Sequence, residues 1–224
     1  MDIFGSTVMK FTDFNPDEDL VFSEYSHRKI SLSSKNKPIR FQIPRMYMPF
    51  GISGFTPEVG PTKWNVDFSM KGYDEDGNYV KKFFDFLKKL EEKVLQHVQE
   101  NGEKIFSRSI SKFELEDIFN SNIKESPDRE PKFRVKVDTD GTLIRPPIFD
   151  VNNEQVKDEA TNGLYQKHTG TAMVELHSIY FMNKRFGLTW KMYQMKIFEP
   201  QRLKGFQFND EEPEQVVKGF QFIV

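Results

Sequence analysis

The chain has 224 residues, of which 14% are aromatic and 29% charged, with a formal net charge of -2 and no cysteine. That length can bury a sizeable core within one decorated domain, and the missing thiols exclude disulfides, thiolate metal sites and a cysteine nucleophile, which fits a reducing compartment. No apolar run approaches the roughly 20 residues of a membrane helix and the N-terminus lacks a secretory leader pattern, so a soluble, intracellular protein with no membrane partner is expected.

Residues 1–36 have mixed polarity and are expected to form an N-terminal arm or an extra strand. Next, Ile39, Phe41 and Ile43 alternate with Arg40 and Gln42 until Pro44 and Pro49 intervene, the pattern of an edge strand. Gly51 to Gly54 reads as a turn. Residues 63–71 alternate strictly: Trp64, Val66, Phe68 and Met70 face one way, and Lys63, Asn65, Asp67, Ser69 and Lys71 the other. That is a half-buried strand. The period then changes, because Phe83, Leu87, Leu90, Val94 and Val98 recur at helical spacing between an Asn78 N-cap and a terminating Gly102. Ser111 and Glu114 have the spacing of a capping box and open a short helix to about Asn120. A helical insertion over about 78–122 would thus cover one end of a sheet.

Alternation resumes with Lys132, Arg134 and Lys136 on one face and Phe133, Val135 and Val137 on the other. Asp138 to Gly141 is expected to turn this strand into a hairpin with residues 142–148. Residues 150–170 read as a loop or short helix, and two strands, about 171–181 and 188–198, flank a turn at Asn183 to Gly187. The whole predicts an α+β domain over residues 37–208, most simply an antiparallel β-barrel with a helical cap, followed by an acidic and aromatic tail over 209–224.

Catalytic signals are poor. His27, His97, His168 and His177 are scattered without metal-ligand spacing, no Gly-rich loop leads into Lys-Ser or Lys-Thr, and the Asp-rich runs at 74–77 and 138–141 lack a full calcium ligand set. No enzyme activity, cofactor or metal is expected. Charge is more informative: residues 131–208 carry a net +4, whereas residues 209–224 carry a net -3. Most of the 23 Phe must be core, so rings that share a face with cations are the candidates for ligand contact. In the last strand Thr189, Lys191 and Tyr193 share a face opposite Leu188, Trp190 and Met192, and Tyr180 ends the preceding strand beside Lys184 and Arg185. With Lys132, Arg134, Lys136 and Lys63, these residues would line a basic groove with a stacking platform, a surface that binds single-stranded nucleic acid with little sequence preference. The competing reading is that the alternating lysines only solvate an open sheet face. If the groove binds, charge reversal at Arg134 and Lys136 is expected to weaken binding and leave the fold intact.

As a set, Pro38 to Pro44, Pro49 to Ser53, Lys132 to Val137, Phe186 to Lys191 and Lys204-Gly205-Phe206-Gln207-Phe208 resemble the single-stranded-DNA-binding proteins of large nucleocytoplasmic DNA viruses, a family similar to the replication single-strand binder of a podophage. The resemblance spans about residues 36–212. It implies an OB-fold, binding of single-stranded DNA in viral replication, recombination or repair in the host cytoplasm or nucleus, replisome partners and no catalysis, and it leaves a homo-oligomer open. It also implies that an acidic tail contacts partners and competes with DNA. Here Asp210, Glu211, Glu212 and Glu214 are not terminal: a second Lys-Gly-Phe-Gln-Phe follows, carrying Phe220 and Phe222, where the chain departs from the family pattern. The alternative is a structural or protein-interaction component of a virion or replication factory that binds no nucleic acid.

Overall fold

The computed structural model describes residues 8–200, and the tail residues named above lie outside them. The described chain is mostly antiparallel β-sheet with few helices. The strands used below are β1 (Lys29–Ser33), β2 (Ile39–Gln42), β3 (Met46–Tyr47), β4 (Ile52–Phe55) and β5 (Lys63–Ser69). Helices α1 (Tyr79–Glu100), α2 (Gly102–Phe106) and α3 (Lys112–Ile118) follow. The chain then forms β6 (Phe119–Asn120), β7 (Ile123–Ser126), β8 (Arg129–Val137), β9 (Ile148–Phe149), β10 (Thr169–Met182) and β11 (Arg185–Phe198).

A circuit of pairings runs β10, β3, β5, β8, β11 and back to β10. It does not close into a continuous barrel ladder. β3 meets β5 only at Tyr47 and Ser69, and β8 meets β11 only at Lys136 and Lys191, whereas β10 and β11 form a long hairpin. The hairpin turns at Asn183 and Lys184, both with positive φ, which fits the right-handed twist of the strands it joins. Two single-residue bulges interrupt its ladder. Tyr193 is the extra residue between the Val174–Met192 and Met173–Gln194 pairs, and His177 is extra between Leu176–Trp190 and Ser178–Thr189.

The helical layer follows the local sequence. Asn78 accepts a hydrogen bond from the Val80 amide at 2.9 Å, and Ser111 with Glu114 forms a complete capping box. The stop expected at Gly102 takes another form: α1 ends at Glu100 with Asn101 as its C-cap, and Gly102, whose φ is not positive, opens α2 against Ile110. The apolar stripe of α1 buries Phe83, Phe86, Leu87, Leu90, Val94 and Val98 over the sheet. Edge-to-face rings tie the layers, since Phe133 lies 5.4 Å from both Phe83 and Trp190, and Phe41 lies 5.2 Å from Phe86.

Two expected connections take other forms. The turn after Val137 makes a separate two-residue ladder, Thr139 with Ile144 and Asp140 with Leu143, and no strand runs over 142–148. Pro146 and Pro147 have no amide hydrogen to donate, and the chain rejoins the sheet only at β9, parallel to β11. The Gly51 to Gly54 segment is not a simple turn but leads into β4, paired with β5. Within the N-terminal segment, β1 pairs with β10, and Phe11 packs on Phe83. Among the described residues, no helix is long and apolar enough to cross a membrane.

Candidate nucleic-acid interface

Strand alternation places the polar residues of five adjacent strands in one transverse row. Arg40 of β2 pairs with Glu175 of β10, Glu175 with Lys191 of β11, Lys191 with Lys136 of β8, and Lys136 with Asn65 of β5. Beneath it, Phe133, Val135, Val137 and Trp190 are buried. Two lysines directly opposite each other repel, and Asp138 resolves the conflict at this site. Its carboxylate accepts from Lys136 Nζ at 2.6 Å and pairs with Lys191 Nζ at 3.5 Å. Burial opposes ionisation of Asp138, but these two partners outweigh it and hold the carboxyl below its ordinary range.

Beyond the Lys136–Lys191 pair, β8 and β11 diverge. The gap is filled by β6, which runs parallel to Phe186 and Gly187, and by β7 on the edge of β8. The divergence leaves a groove of about 570 Å³ on the outer face. Its cations are Lys63, Lys124, Arg134 and Lys136, and its rings are Phe55, Tyr180 and the largely buried Trp190. Gly187 is required there, because a Cβ would stand 2.6 Å from the Asn120 carbonyl oxygen and 2.9 Å from Tyr180 Oη. Tyr180 is anchored by the Asn120 side-chain amide, which donates to its hydroxyl at 2.8 Å, while Lys124 donates to Asn120 Oδ1 at 2.8 Å. Burial and the nearby Arg134 both push the Lys124 ammonium down from its ordinary value.

The groove wall is tied to the helix layer through Glu91. This buried carboxylate accepts from Ser121 Oγ at 2.6 Å, and Ser121 Oγ in turn accepts from the Ile123 amide. Burial raises the Glu91 carboxyl above its ordinary range. Asn122 donates to the Arg134 carbonyl at 3.0 Å, and its buried Oδ1 has no hydrogen-bond partner among the described residues. Arg134 itself makes a two-pronged contact with Asp67 at 2.7 and 2.8 Å, and Asp67 is 5% exposed.

The expected residues therefore divide. Lys63, Arg134, Lys136 and Tyr180 line the groove, and Lys191 joins it through Asp138. Tyr193 sits at the bulge farther along β11, with the Arg40 guanidinium 3.8 Å from its ring centre. Lys132 lies on the same face but faces a different hollow, where its ammonium is 4.9 Å from the Phe50 ring. Lys184 and Arg185 are at the hairpin tip, in a shallow depression with Tyr25 and Phe106 beyond Met182. Phe55, Lys124 and Arg40 were not anticipated. The signal for Phe55 was Gly54: a Cβ there would meet the Trp64 ring at 2.7 Å, so this glycine marks a close strand crossing.

The solved structures similar to this chain include three from bacteriophages. One is gp2.5, a single-stranded-DNA-binding protein encoded by bacteriophage T7, at 12% identity over 84% of this chain and 99% of that one, with a TM-score of 0.47. The single-stranded-DNA-binding protein of bacteriophage Enc34 in complex with single-stranded DNA is 13% identical over 85% and 99%, with a TM-score of 0.40. Its C-terminal truncation is 13% identical over 83% and 98%, with a TM-score of 0.42. With TM-scores below 0.5, these likenesses carry no weight for function, and they show no link to large nucleocytoplasmic DNA viruses. No curated protein matches the sequence. A family model described as a family of unknown function, DUF5871, matches residues 74–211, more than half of the chain.

Proposed function

This chain belongs to the DUF5871 family of unknown function, and we propose that it binds single-stranded DNA without sequence preference on an open, OB-fold-like barrel. The observation that carries the reading is the groove between β8 and β11, where four cations and the rings of Phe55 and Tyr180 converge on one sheet face. Cations that track phosphates beside rings that accept bases are what a sequence-tolerant single-strand site requires. In this reading Lys63, Lys124, Arg134 and Lys136 meet phosphates, and Phe55 and Tyr180 stack bases. Lys191 and Tyr193 extend the site along β11, and Lys184 and Arg185 meet a strand leaving past Met182. A role in viral replication, recombination or repair rests on the motif resemblance, and the acidic and aromatic tail remains the proposed partner segment. No catalytic role is proposed.

Fluorescence anisotropy on a labelled oligothymidylate, at low and moderate salt, tests this. Binding that weakens as salt rises is expected. Lys63→Glu with Lys136→Glu should lower affinity by about tenfold or more through lost phosphate contacts, and Phe55→Ala should cost roughly 1–3 kcal/mol of stacking. No binding, or binding indifferent to salt, would sink the proposal and favour a purely protein-interaction role.

A further inference from the structure

A second hollow, of about 490 Å³, lies at the other end of the β5–β8 ladder. Two half-exposed rings frame it, Tyr47 at 42% and Phe50 at 44% exposure. Lys71, Arg129 and Lys132 surround it, and none of the three makes an ion pair among the described residues, although Glu130 stands on the rim. In the groove, Arg134 and Lys136 are paired with Asp67 and Asp138, whereas Lys63 and Lys124 make no ion pair among the described residues. Two half-exposed rings beside three cations and one carboxylate make a net-positive surface that can stack bases and meet phosphates.

The two hollows share one face. Ser69 pairs with Lys132, Asp67 with Arg134 and Asn65 with Lys136, so successive outward residues of β5 and β8 lead from one to the other. Four residues of strand separate Lys132 from Lys136, about 13 Å at 3.3 Å per residue. We propose that the Phe50 hollow is a second nucleotide subsite, occupied by the same DNA strand that fills the groove and running along β8. A base stacks on Phe50 or Tyr47, and phosphates meet Lys71, Arg129 and Lys132. This inference rests on the function proposed above and adds an extent and a path to it.

The test compares oligothymidylates of about 4 and about 16 nucleotides, the range of site sizes known for one such barrel. Wild-type affinity should rise with length, and Phe50→Ala with Lys132→Ala should remove most of that rise, lowering affinity for the longer oligonucleotide about tenfold. Replacing Lys71, Arg129 and Lys132 by Ala should reduce the slope of log affinity against log salt by about 2, at about 0.7 per phosphate. None of the four replaced side chains is buried, and melting curves of the variants check that the fold survives. An unchanged affinity for the longer oligonucleotide together with an unchanged salt slope, in a protein whose groove still binds, overturns the second subsite alone. Failure of the wild type to bind either oligonucleotide overturns both readings.

Discussion

Arg134 and Lys136 look equivalent in the sequence, two cations alternating on one strand, and they have different roles. Arg134 neutralises Asp67, which is 5% exposed, whereas Lys136 meets the partly exposed Asp138. The expectation that both tolerate charge reversal therefore fails for Arg134. Arg134→Glu would set a second carboxylate against a buried one. Breaking a fully buried pair costs about 3–5 kcal/mol, and the 42% exposure of Arg134 reduces that to about 2 kcal/mol. Arg134→Glu should thus lower the melting temperature as well as DNA affinity, while Lys136→Glu lowers affinity alone. Melting and anisotropy on the two single variants separate these effects. Asp138 makes the opposite prediction. It occupies Lys136 and Lys191 where phosphate would, so Asp138→Asn should raise affinity at low salt several-fold and steepen the salt slope by about 1. An unaltered salt slope would show that the two lysines do not contact the backbone of the DNA.

At the scale of elements, the sequence was most legible where local chemistry decides. The Asn78 cap, the Ser111–Glu114 box and the alternation of β8 are short-range patterns, and the structure shows each of them, while β5 departs from strict alternation where Asp67 is buried against Arg134. Pro146 and Pro147 are a local signal against the strand expected after Gly141, whereas Gly102 was misleading because packing against Ile110 decides its conformation, which is not a local pattern. The junction of α1 with the N-terminal segment was invisible in the sequence for the same reason. There His97 stacks on Phe22, ring centres 3.8 Å apart and planes within 7°. Burial pushes the His97 imidazole below its ordinary value, with Glu100 opposing and Lys93 adding to the shift. Because the folded value is the lower one, the unfolded chain takes up the proton more readily. Stability from this contact is complete above about pH 6.5 and is lost as pH falls through the depressed folded value. His177, depressed by burial and by Lys29 and Lys191, acts with the same sign. Thermal melts between about pH 7.5 and pH 5.5 should show a decline that His97→Phe reduces, and parallel curves for variant and wild type would remove His97 from the effect.

At the scale of the molecule, a net charge of -2 conceals a face where cations outnumber acids, which a count over residues 131–208 had already indicated. The count could not show that Asp67 and Asp138 temper that face from within, since the partner of Asp67 lies 67 residues away in sequence and Asp138 also reaches Lys191 on another strand. Among the described residues, many of the rings are accounted for by a long aromatic contact between sheet and helix, and few are left exposed to a ligand. The paired bulges at Tyr193 and His177 bear on how such a molecule can vary. On β11 the inward set is Leu188, Trp190 and Met192 before the bulge and Met195 and Ile197 after it, and on β10 it changes from Val174 and Leu176 to Ile179 and Phe181. Each extra residue shifts the count by one while keeping apolar side chains inside. The long hairpin thus has two places where its length can shrink by a residue without turning the core inside out, and one of them, Tyr193, carries a ring that meets solvent. There the proposed binding face can gain or lose an aromatic by a change in chain length, not only by substitution.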